Sequence, residues 1–250
     1  MSRKPVMAGN WKMYKTAAET TSFFEKFRAL VERSEHCEIV ICPPAPNLPA
    51  AIAGAQGTRV GIGAQNMFWA KEGAYTGEVS GAMIRSLGCS HVIVGHSERR
   101  QYFGETNESV LKKTLAALDA GLTPIVCVGE TLEHREAGQT EAVITDHCQG
   151  GTSGLSAEQF SKILIAYEPV WAIGTGKTAT PEIAADAHRM IRAHASSAFG
   201  QQAAKSLRIL YGGSVKPDNI KGLMAQPEID GALVGGASLD PISFASIVNF

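Results

Sequence analysis

Short apolar runs that alternate with amphipathic stretches restrict most strongly how this chain of 250 residues can fold. The runs resemble strands buried on both faces, and they lie at 6–8, 39–41, 60–62, 92–94, 125–127, 163–165, 209–211 and 232–234. The main amphipathic stretches between them lie at 17–31, 107–120, 140–149, 181–199 and 241–250. In the stretch 107–120, Val110, Leu111, Leu115 and Leu118 fall at helical spacing, which predicts that they form the buried face of a helix.

This alternation predicts the α/β class. About eight strand–helix units within a chain of this length favour a (β/α)8 barrel of parallel strands surrounded by helices. No shift in composition and no low-complexity linker marks a boundary, so we expect residues 1–250 to form a single barrel domain. An open, doubly wound parallel sheet is the alternative that the pattern leaves open.

Composition argues against several classes of partner. A formal net charge of −1 argues against nucleic acid or an anionic membrane surface as the main partner. No apolar run has the length of a membrane span, and the first residues lack the apolar core of a secretion signal, so we expect a cytoplasmic protein.

The five cysteines show no CxxC spacing, and Cys42 and Cys127 fall in strand-like runs, which predicts reduced core thiols. We expect no metal and no cofactor.

The segment that follows the sixth apolar run combines a carboxylate with a glycine-rich loop. Glu168 ends the run and Pro169 fixes the direction of the backbone behind it. The residues 170–173 are apolar and lead into Gly174, Thr175 and Gly176. Such a loop is typical of a lid that closes over a site and excludes water. An ordinary strand end, with a loop whose apolar residues pack on the surface, is the alternative.

The ends of the other runs would meet at the mouth of a barrel, where barrel enzymes place their chemistry. Titratable groups follow the early runs, in GNWK at 9–12 and GHSERR at 95–100. Glycines follow the late runs, in GGS at 212–214 and at Gly235 and Gly236. Backbone N–H groups at paired glycines can approach a phosphate closely, and barrels often hold phosphate after strands 7 and 8. The pattern therefore predicts a phosphate-binding mouth.

Five motifs in order resemble the triosephosphate isomerase family: GNWKM at 9–13, GHSERR at 95–100, AYEPVWAIGTGK at 166–177, YGGSV at 211–215 and LVGGASL at 233–239. The resemblance implies cofactor-free interconversion of dihydroxyacetone phosphate and D-glyceraldehyde 3-phosphate through an enediol(ate), a step of glycolysis and gluconeogenesis. It implies that Glu168 is the base, that neutral His96 is the electrophile and that Lys12 supplies positive charge.

The resemblance also implies how substrate and partner bind. Asn10 and Lys12 would contact substrate, and Gly174, Ser214, Gly235 and Gly236 would offer backbone N–H groups to its phosphate. Thr175 and Lys177 would be hinge or latch residues of the lid, whereas Glu98 and Arg99 would support the groups that touch substrate. The long segment Gln65–Ser80 would insert into a second copy of the chain and form a homodimer, with Thr76 near the active site of the partner.

Two other functions compete with the isomerase. Another phosphate-binding barrel enzyme is one, either an epimerase or an aldolase that forms a Schiff base on Lys12. An epimerase needs metal-ligating side chains at several strand ends, which the motifs lack. A catalytically silent binding protein on the same fold is the other, since a fold does not dictate function. It would be favoured by loss of Glu168 or His96, and both residues are present.

Overall fold

The structure is a computed structural model that describes residues 3–172 and 179–250. Within them, eight parallel strands close into one barrel in the order of the sequence, with the first strand paired to both the second and the last. The strands are β1 (Val6–Asn10), β2 (Glu38–Cys42), β3 (Val60–Ala64), β4 (His91–Val94), β5 (Thr123–Val128), β6 (Leu164–Tyr167), β7 (Arg208–Tyr211) and β8 (Gly231–Val234). Closure of the barrel confirms the (β/α)8 prediction and excludes the open sheet. That residues 1–250 are a single domain stays a prediction.

Helices surround the barrel and follow the strands in the chain. They are α1 (Ala17–Val31), α2 (Leu48–Ala55), α3 (Gly81–Ser86), α4 (Ser97–Phe103), α5 (Asn107–Asp119), α6 (Leu132–Glu136), α7 (Thr140–Thr152), α8 (Ala157–Phe160), α9 (Pro181–Phe199), α10 (Gln201–Ser206), α11 (Ile220–Met224) and α12 (Pro241–Val248). Short 3-10 helices lie at Ala45–Asn47, Val170–Ala172 and Gly236–Leu239. No helix in these residues is long and apolar enough to cross a bilayer.

Helix α7 extends beyond the predicted end at residue 149 because its glycines serve close packing. A Cβ atom on Gly150 would lie 2.4 Å from the Cβ of Asn107 at the start of α5. The same asparagine donates from Nδ2 to Asp146 on α7 at 2.8 Å. The absence of a side chain at Gly150 thus lets α5 and α7 approach each other. The packing gained in this way outweighs the intrinsic cost of glycine in a helix.

The buried face of α5 includes Val110 as predicted, and it extends to residues that the hydrophobic pattern did not mark. Val110, Lys113, Thr114 and Ala117 are its fully buried residues, whereas Leu111, Leu115 and Leu118 are half-buried. Lys113 is drawn inward because its ammonium group pairs with the buried carboxylate of Glu105 and donates to Asn66 Oδ1 at 2.7 Å. A buried charge is tolerated where it is paired in this way.

Two apolar layers hold the barrel. One cluster fills its interior with Val6, Ala8, Val40, Cys42, Ile93, Ile125, Cys127, Leu164, Ala166, Leu210 and Leu233. A larger cluster lies between the strands and the helices, and it includes Trp11, Phe24, Phe27 and Phe244. Cys42 and Cys127 are buried free thiols, as predicted, and burial raises the pKa of both.

A carboxylate, an imidazole and a guanidinium meet at the amino-terminal end of the barrel, opposite the mouth. Glu38, His91 and Arg208 are the first residues of β2, β4 and β7. One oxygen of Glu38 lies 3.2 Å from His91 Nε2, and the other accepts from Arg208 at 2.6 Å. His91 Nδ1 lies 2.8 Å from Ser90 Oγ. This group, which we call the floor cluster, joins three strands that are distant in the sequence.

Candidate active site

A cavity of about 350 Å³ lies at the carboxyl ends of the strands. Its lining includes Asn10, Lys12, His96, Glu168, Ser214, Gly235 and Gly236. These are the predicted site residues that belong to the described part of the chain, and the barrel brings all of them to one place. Gly174, Thr175 and Lys177, predicted for the lid, lie outside the described residues.

The centre of the cavity is a contact between Glu168 and His96. Glu168 follows the last residue of β6, and its Oε1 lies 2.8 Å from His96 Nε2. Its other oxygen accepts the backbone N–H of Ser97 at 2.9 Å. Glu168 is only 2% exposed and His96 only 6%, so the two polar groups face each other almost without contact with solvent.

The start of helix α4 fixes the tautomer of His96. His96 is the residue that caps this helix, and its Nδ1 accepts the backbone N–H of Glu98 at 3.2 Å. Because Nδ1 is an acceptor there, the neutral ring carries its proton on Nε2 and donates it towards Glu168. The local turn therefore aims an N–H donor into the cavity.

The two groups shift each other's pKa. Burial raises the pKa of Glu168, but the charge and hydrogen bond of His96 and the Ser97 N–H outweigh it and leave the pKa below its usual value. Burial lowers the pKa of His96, and the facing Glu168 carboxylate outweighs that effect and raises the pKa. Glu168 is therefore ionised at neutral pH and available as a base.

Lys12 reaches the cavity from an unusual backbone conformation. Its φ of 51° lies in the left-handed region, which costs free energy for a residue with a side chain. Asn10 Oδ1 accepts the Lys12 N–H at 3.0 Å, and Gln65 Nε2 donates to the Lys12 carbonyl at 2.8 Å. The Lys12 ammonium pairs with Glu98 at 2.6 Å. These bonds hold the lysine in place beside the cavity.

Gln65 is a site residue that the sequence analysis missed. It is the first residue of the predicted interface loop, and its amide bridges the carbonyls of Lys12 and Cys42, both at 2.8 Å. No local pattern predicts this bridge, because it joins residues at or just beyond the ends of three different strands.

Glu130 is a second residue that sequence reasoning missed. It is fully buried, and its Oε1 accepts from Tyr167 Oη and Trp171 Nε1, both at 3.0 Å, and from Arg135 at 3.3 Å. These bonds tie the segment on either side of Glu168 to the barrel. The predicted supporting residues also have partners, since Glu98 pairs with Lys12 and Arg99 lies 3.5 Å from Glu105.

The glycine-rich half of the cavity presents mainly backbone groups. Gly213 lies where a Cβ atom would come within 2.2 Å of Tyr211 Oη, so no larger residue fits without a shift. Gly236 begins a 3-10 helix, and the first N–H groups of a helix lack acceptors within it. With Ser214 and Gly235 beside it, this half of the cavity suits an oxyanion such as phosphate.

Comparison with known proteins agrees with this geometry. The family described as triosephosphate isomerase matches residues 5–250. A triosephosphate isomerase of Solibacter usitatus is 71% identical, over 99% of this chain and 100% of that protein, and one of Citrifermentans bemidjiense is 57% identical, over 99% of both. The crystal structure of triosephosphate isomerase from Bartonella henselae superposes with a TM-score of 0.88 at 40% identity, over 98% of both chains. The chain is therefore an isomerase that belongs to the triosephosphate isomerase family.

Proposed function

We propose that Glu168 and His96 interconvert dihydroxyacetone phosphate and D-glyceraldehyde 3-phosphate by moving a proton between adjacent carbons. The observation that carries this proposal is the 2.8 Å contact between the buried Glu168 carboxylate and His96 Nε2 at the wall of the cavity. It joins a base and a hydrogen-bond donor, the two groups that formation of an enediol(ate) requires.

Glu168 acts as the base. Its oxygens contact His96 Nε2 and accept the Ser97 N–H, at 2.8 and 2.9 Å. A substrate that accepts the His96 proton would release one carboxylate oxygen, which could then take a proton from the carbon next to the carbonyl. The carboxylate is stronger as a base in a site without water, because hydration no longer stabilises its charge.

His96 acts as the electrophile in its neutral form. When substrate separates it from Glu168, the contribution that raises its pKa weakens. Burial, the charge of Lys12 and the Glu98 N–H on Nδ1 remain and favour the neutral ring, against the Glu98 carboxylate, which raises the pKa. The Nε2 proton is then donated to the substrate carbonyl and to the enediolate oxygen that develops from it. Lys12 adds positive charge close to the same oxygen and to the phosphate.

The phosphate is held by backbone N–H groups of Ser214, Gly235 and Gly236, and by Gly174 from the lid. Asn10 orients the substrate oxygen. Binding the phosphate far from the reacting carbons supplies binding free energy that positions the substrate against Glu168. Enclosure also protects the enediolate, since an intermediate open to solvent can eliminate phosphate.

A homodimer formed through Gln65–Ser80 is the second part of the proposal. This loop carries Trp69 and Tyr75, whose rings contact Phe68 at 4.1 and 4.5 Å between ring centres and remain 37% and 47% exposed. Beside it lies a cavity of about 530 Å³ that Met13 and Phe103 line, and both are largely exposed in the single chain. Exposed apolar residues next to a cavity are typical of an interface.

The dimer is tested at Thr76, which is exposed at the tip of this loop. Light scattering should give the mass of two chains for the wild type and of one chain for Thr76→Arg, with loss of most activity in the monomer. A monomeric wild type with full activity contradicts the dimer.

The proposed reaction belongs to glycolysis, which supports a cytoplasmic location.

The direct test of the proposed reaction is proton NMR of dihydroxyacetone phosphate in D2O with the protein and no added cofactor. We expect D-glyceraldehyde 3-phosphate that carries deuterium next to the carbonyl. In Glu168→Gln the rate should fall by about 10²–10⁴-fold, the contribution of a positioned general base. A folded wild type that exchanges no proton contradicts the proposal.

A further inference from the structure

Lys216 lies at the rim of the active-site cavity and has no part in the roles described so far. It belongs to the cavity lining together with Ser214, Gly235 and Gly236. The residue is exposed, two positions beyond Ser214 in the segment that follows β7. Lys216 therefore belongs to the same loop as Ser214, on which the proposed phosphate site depends.

The backbone of Lys216 is fixed by Asn219. The Asn219 side chain accepts the Lys216 N–H at 2.9 Å and donates to the carbonyl of Ser214 at 3.0 Å. The N–H groups of Asn219 and Ile220 also donate to the Lys216 carbonyl, at 3.2 and 3.1 Å. One asparagine therefore sets both the Ser214 end of the phosphate site and the origin of the lysine side chain.

The ammonium group of Lys216 is available for a ligand. Within residues 3–172 and 179–250, no carboxylate lies within ion-pair distance of it. Lys12, the other lysine of the cavity lining, is instead paired with Glu98 at 2.6 Å. Its charge is partly neutralised before any substrate enters.

Among the described residues of the cavity lining other than Lys216, the positive charge is smaller than the negative charge of the ligand. A phosphate monoester carries between about 1.5 and 2 negative charges at pH 7. Ser214, Gly235 and Gly236 contribute dipoles only, and the ionised Glu168 adds a negative charge to the same cavity. We propose that Lys216 is a second cation for the substrate phosphate, which attracts the dianion to the cavity and retains it there. This inference rests on the proposed function.

The size of the effect follows from Coulomb's law. A lysine about 8 Å from a dianion in water contributes an attraction equivalent to about fivefold in affinity at low ionic strength. Salt at physiological concentration screens this distance and reduces the effect to about twofold. Lys216 is a binding residue in this account, so kcat should change little.

The test compares Lys216→Gln with Lys221→Gln. Lys221 is an exposed lysine of the neighbouring helix α11, so its replacement removes the same charge away from the cavity lining. At low ionic strength, Lys216→Gln should raise KM for D-glyceraldehyde 3-phosphate and the inhibition constant of inorganic phosphate by about fivefold. Both increases should shrink with added salt, whereas Lys221→Gln should behave as wild type and Lys216→Arg should restore both constants.

A neutral substrate separates charge attraction from structural damage. Turnover of D-glyceraldehyde, which lacks the phosphate, should be the same in Lys216→Gln and in the wild type. The inference is wrong if Lys216→Gln has the same KM and the same inhibition constant as Lys221→Gln. It is also wrong if Lys216→Gln loses as much activity on D-glyceraldehyde as on the triose phosphate. A wild type that does not isomerise the triose phosphate would instead overturn the proposed function. Binding of inorganic phosphate, followed by calorimetry, would still test Lys216 in that case.

Discussion

The two ends of the barrel each hold a carboxylate, an imidazole and a cation. They differ in whether those groups can contact a ligand. At the mouth, Glu168 faces His96 at 2.8 Å and lines the cavity with it. In the floor cluster, Glu38 lies 3.2 Å from His91 and 2.6 Å from Arg208. The same chemical groups thus meet twice, at opposite ends of the same strands.

The difference lies in anchorage and access. Glu38 and its partners are the first residues of three strands, and both oxygens of Glu38 bind side chains. Turning this carboxylate towards a ligand would break both interactions. Glu168 instead follows its strand and borders a cavity of about 350 Å³, where a substrate can replace one partner. A carboxylate–imidazole pair therefore indicates catalysis only where space for a substrate adjoins it, and otherwise it indicates stability.

The largest effect is expected at the mouth, in His96→Gln. The change removes a hydrogen-bond donor that the Glu98 N–H aims into the cavity. We expect kcat to fall by about 10³-fold, the scale of a lost donor to a developing oxyanion, with the unfolding transition nearly unchanged. A coupled assay of triose phosphate turnover and a urea titration measure the two quantities. A variant that keeps wild-type kcat would remove His96 from the chemistry.

Lys12→Met should have the next largest effect. It removes the cation that Asn10 and Gln65 hold beside the cavity. We expect kcat/KM to fall by about 10²-fold, because the charge opposite the oxyanion and the phosphate is lost. Lys4→Met is the matched control, since Lys4 is an exposed lysine before β1. Equal kcat/KM values for Lys12→Met and Lys4→Met would contradict the role of Lys12.

In the floor cluster, we expect the substitution Glu38→Gln to lower the stability of the fold. Glu38→Gln leaves the charge of Arg208 without its carboxylate, and the Glu38 side chain is one-third exposed, which moderates the cost. We expect the free energy of unfolding to fall by about 2 kcal/mol. Urea titration followed by circular dichroism measures it, with Glu35→Gln as the control at an exposed carboxylate. A loss no greater than that of the control would show that the cluster contributes little.

The smallest effect is on the pH dependence of stability. Donation from His91, and then from Arg208, lowers the pKa of Glu38 from 4.5 to about 2, against the effect of burial. A lowered pKa in the folded state means that the stabilisation is complete above about pH 4.5 and is lost as pH falls towards 2. The difference in stability between wild type and Glu38→Gln should therefore shrink between pH 5 and about 3. Urea titrations across this range measure it, and a constant difference would contradict the cause given for the shift.

The sequence alone was sufficient for the fold and for most of the candidate site, for a physical reason. Parallel strands buried on both faces leave continuous apolar runs, and closure brings their carboxyl ends together. Residues such as His96, Glu168 and Gly235, which follow those runs, therefore had to meet.

What the sequence did not reveal depends on contacts between distant elements. The amide of Gln65, the carboxylate of Glu130 and the floor cluster each join several strand ends, and no local spacing encodes such a meeting. Part of the buried face of α5 was missed for the same reason. The pairing of Lys113 with Glu105, which accompanies burial of this lysine, lies outside any hydrophobic pattern.

The central claim is that equivalent groups serve chemistry at one end of the barrel and stability at the other. The most direct test is the turnover number of Glu38→Gln beside that of Glu168→Gln, measured at neutral pH where both variants are folded. The account predicts that Glu38→Gln keeps kcat within about twofold of the wild type, whereas Glu168→Gln loses at least about 10²-fold. Comparable losses in both variants would contradict the separation of the two ends.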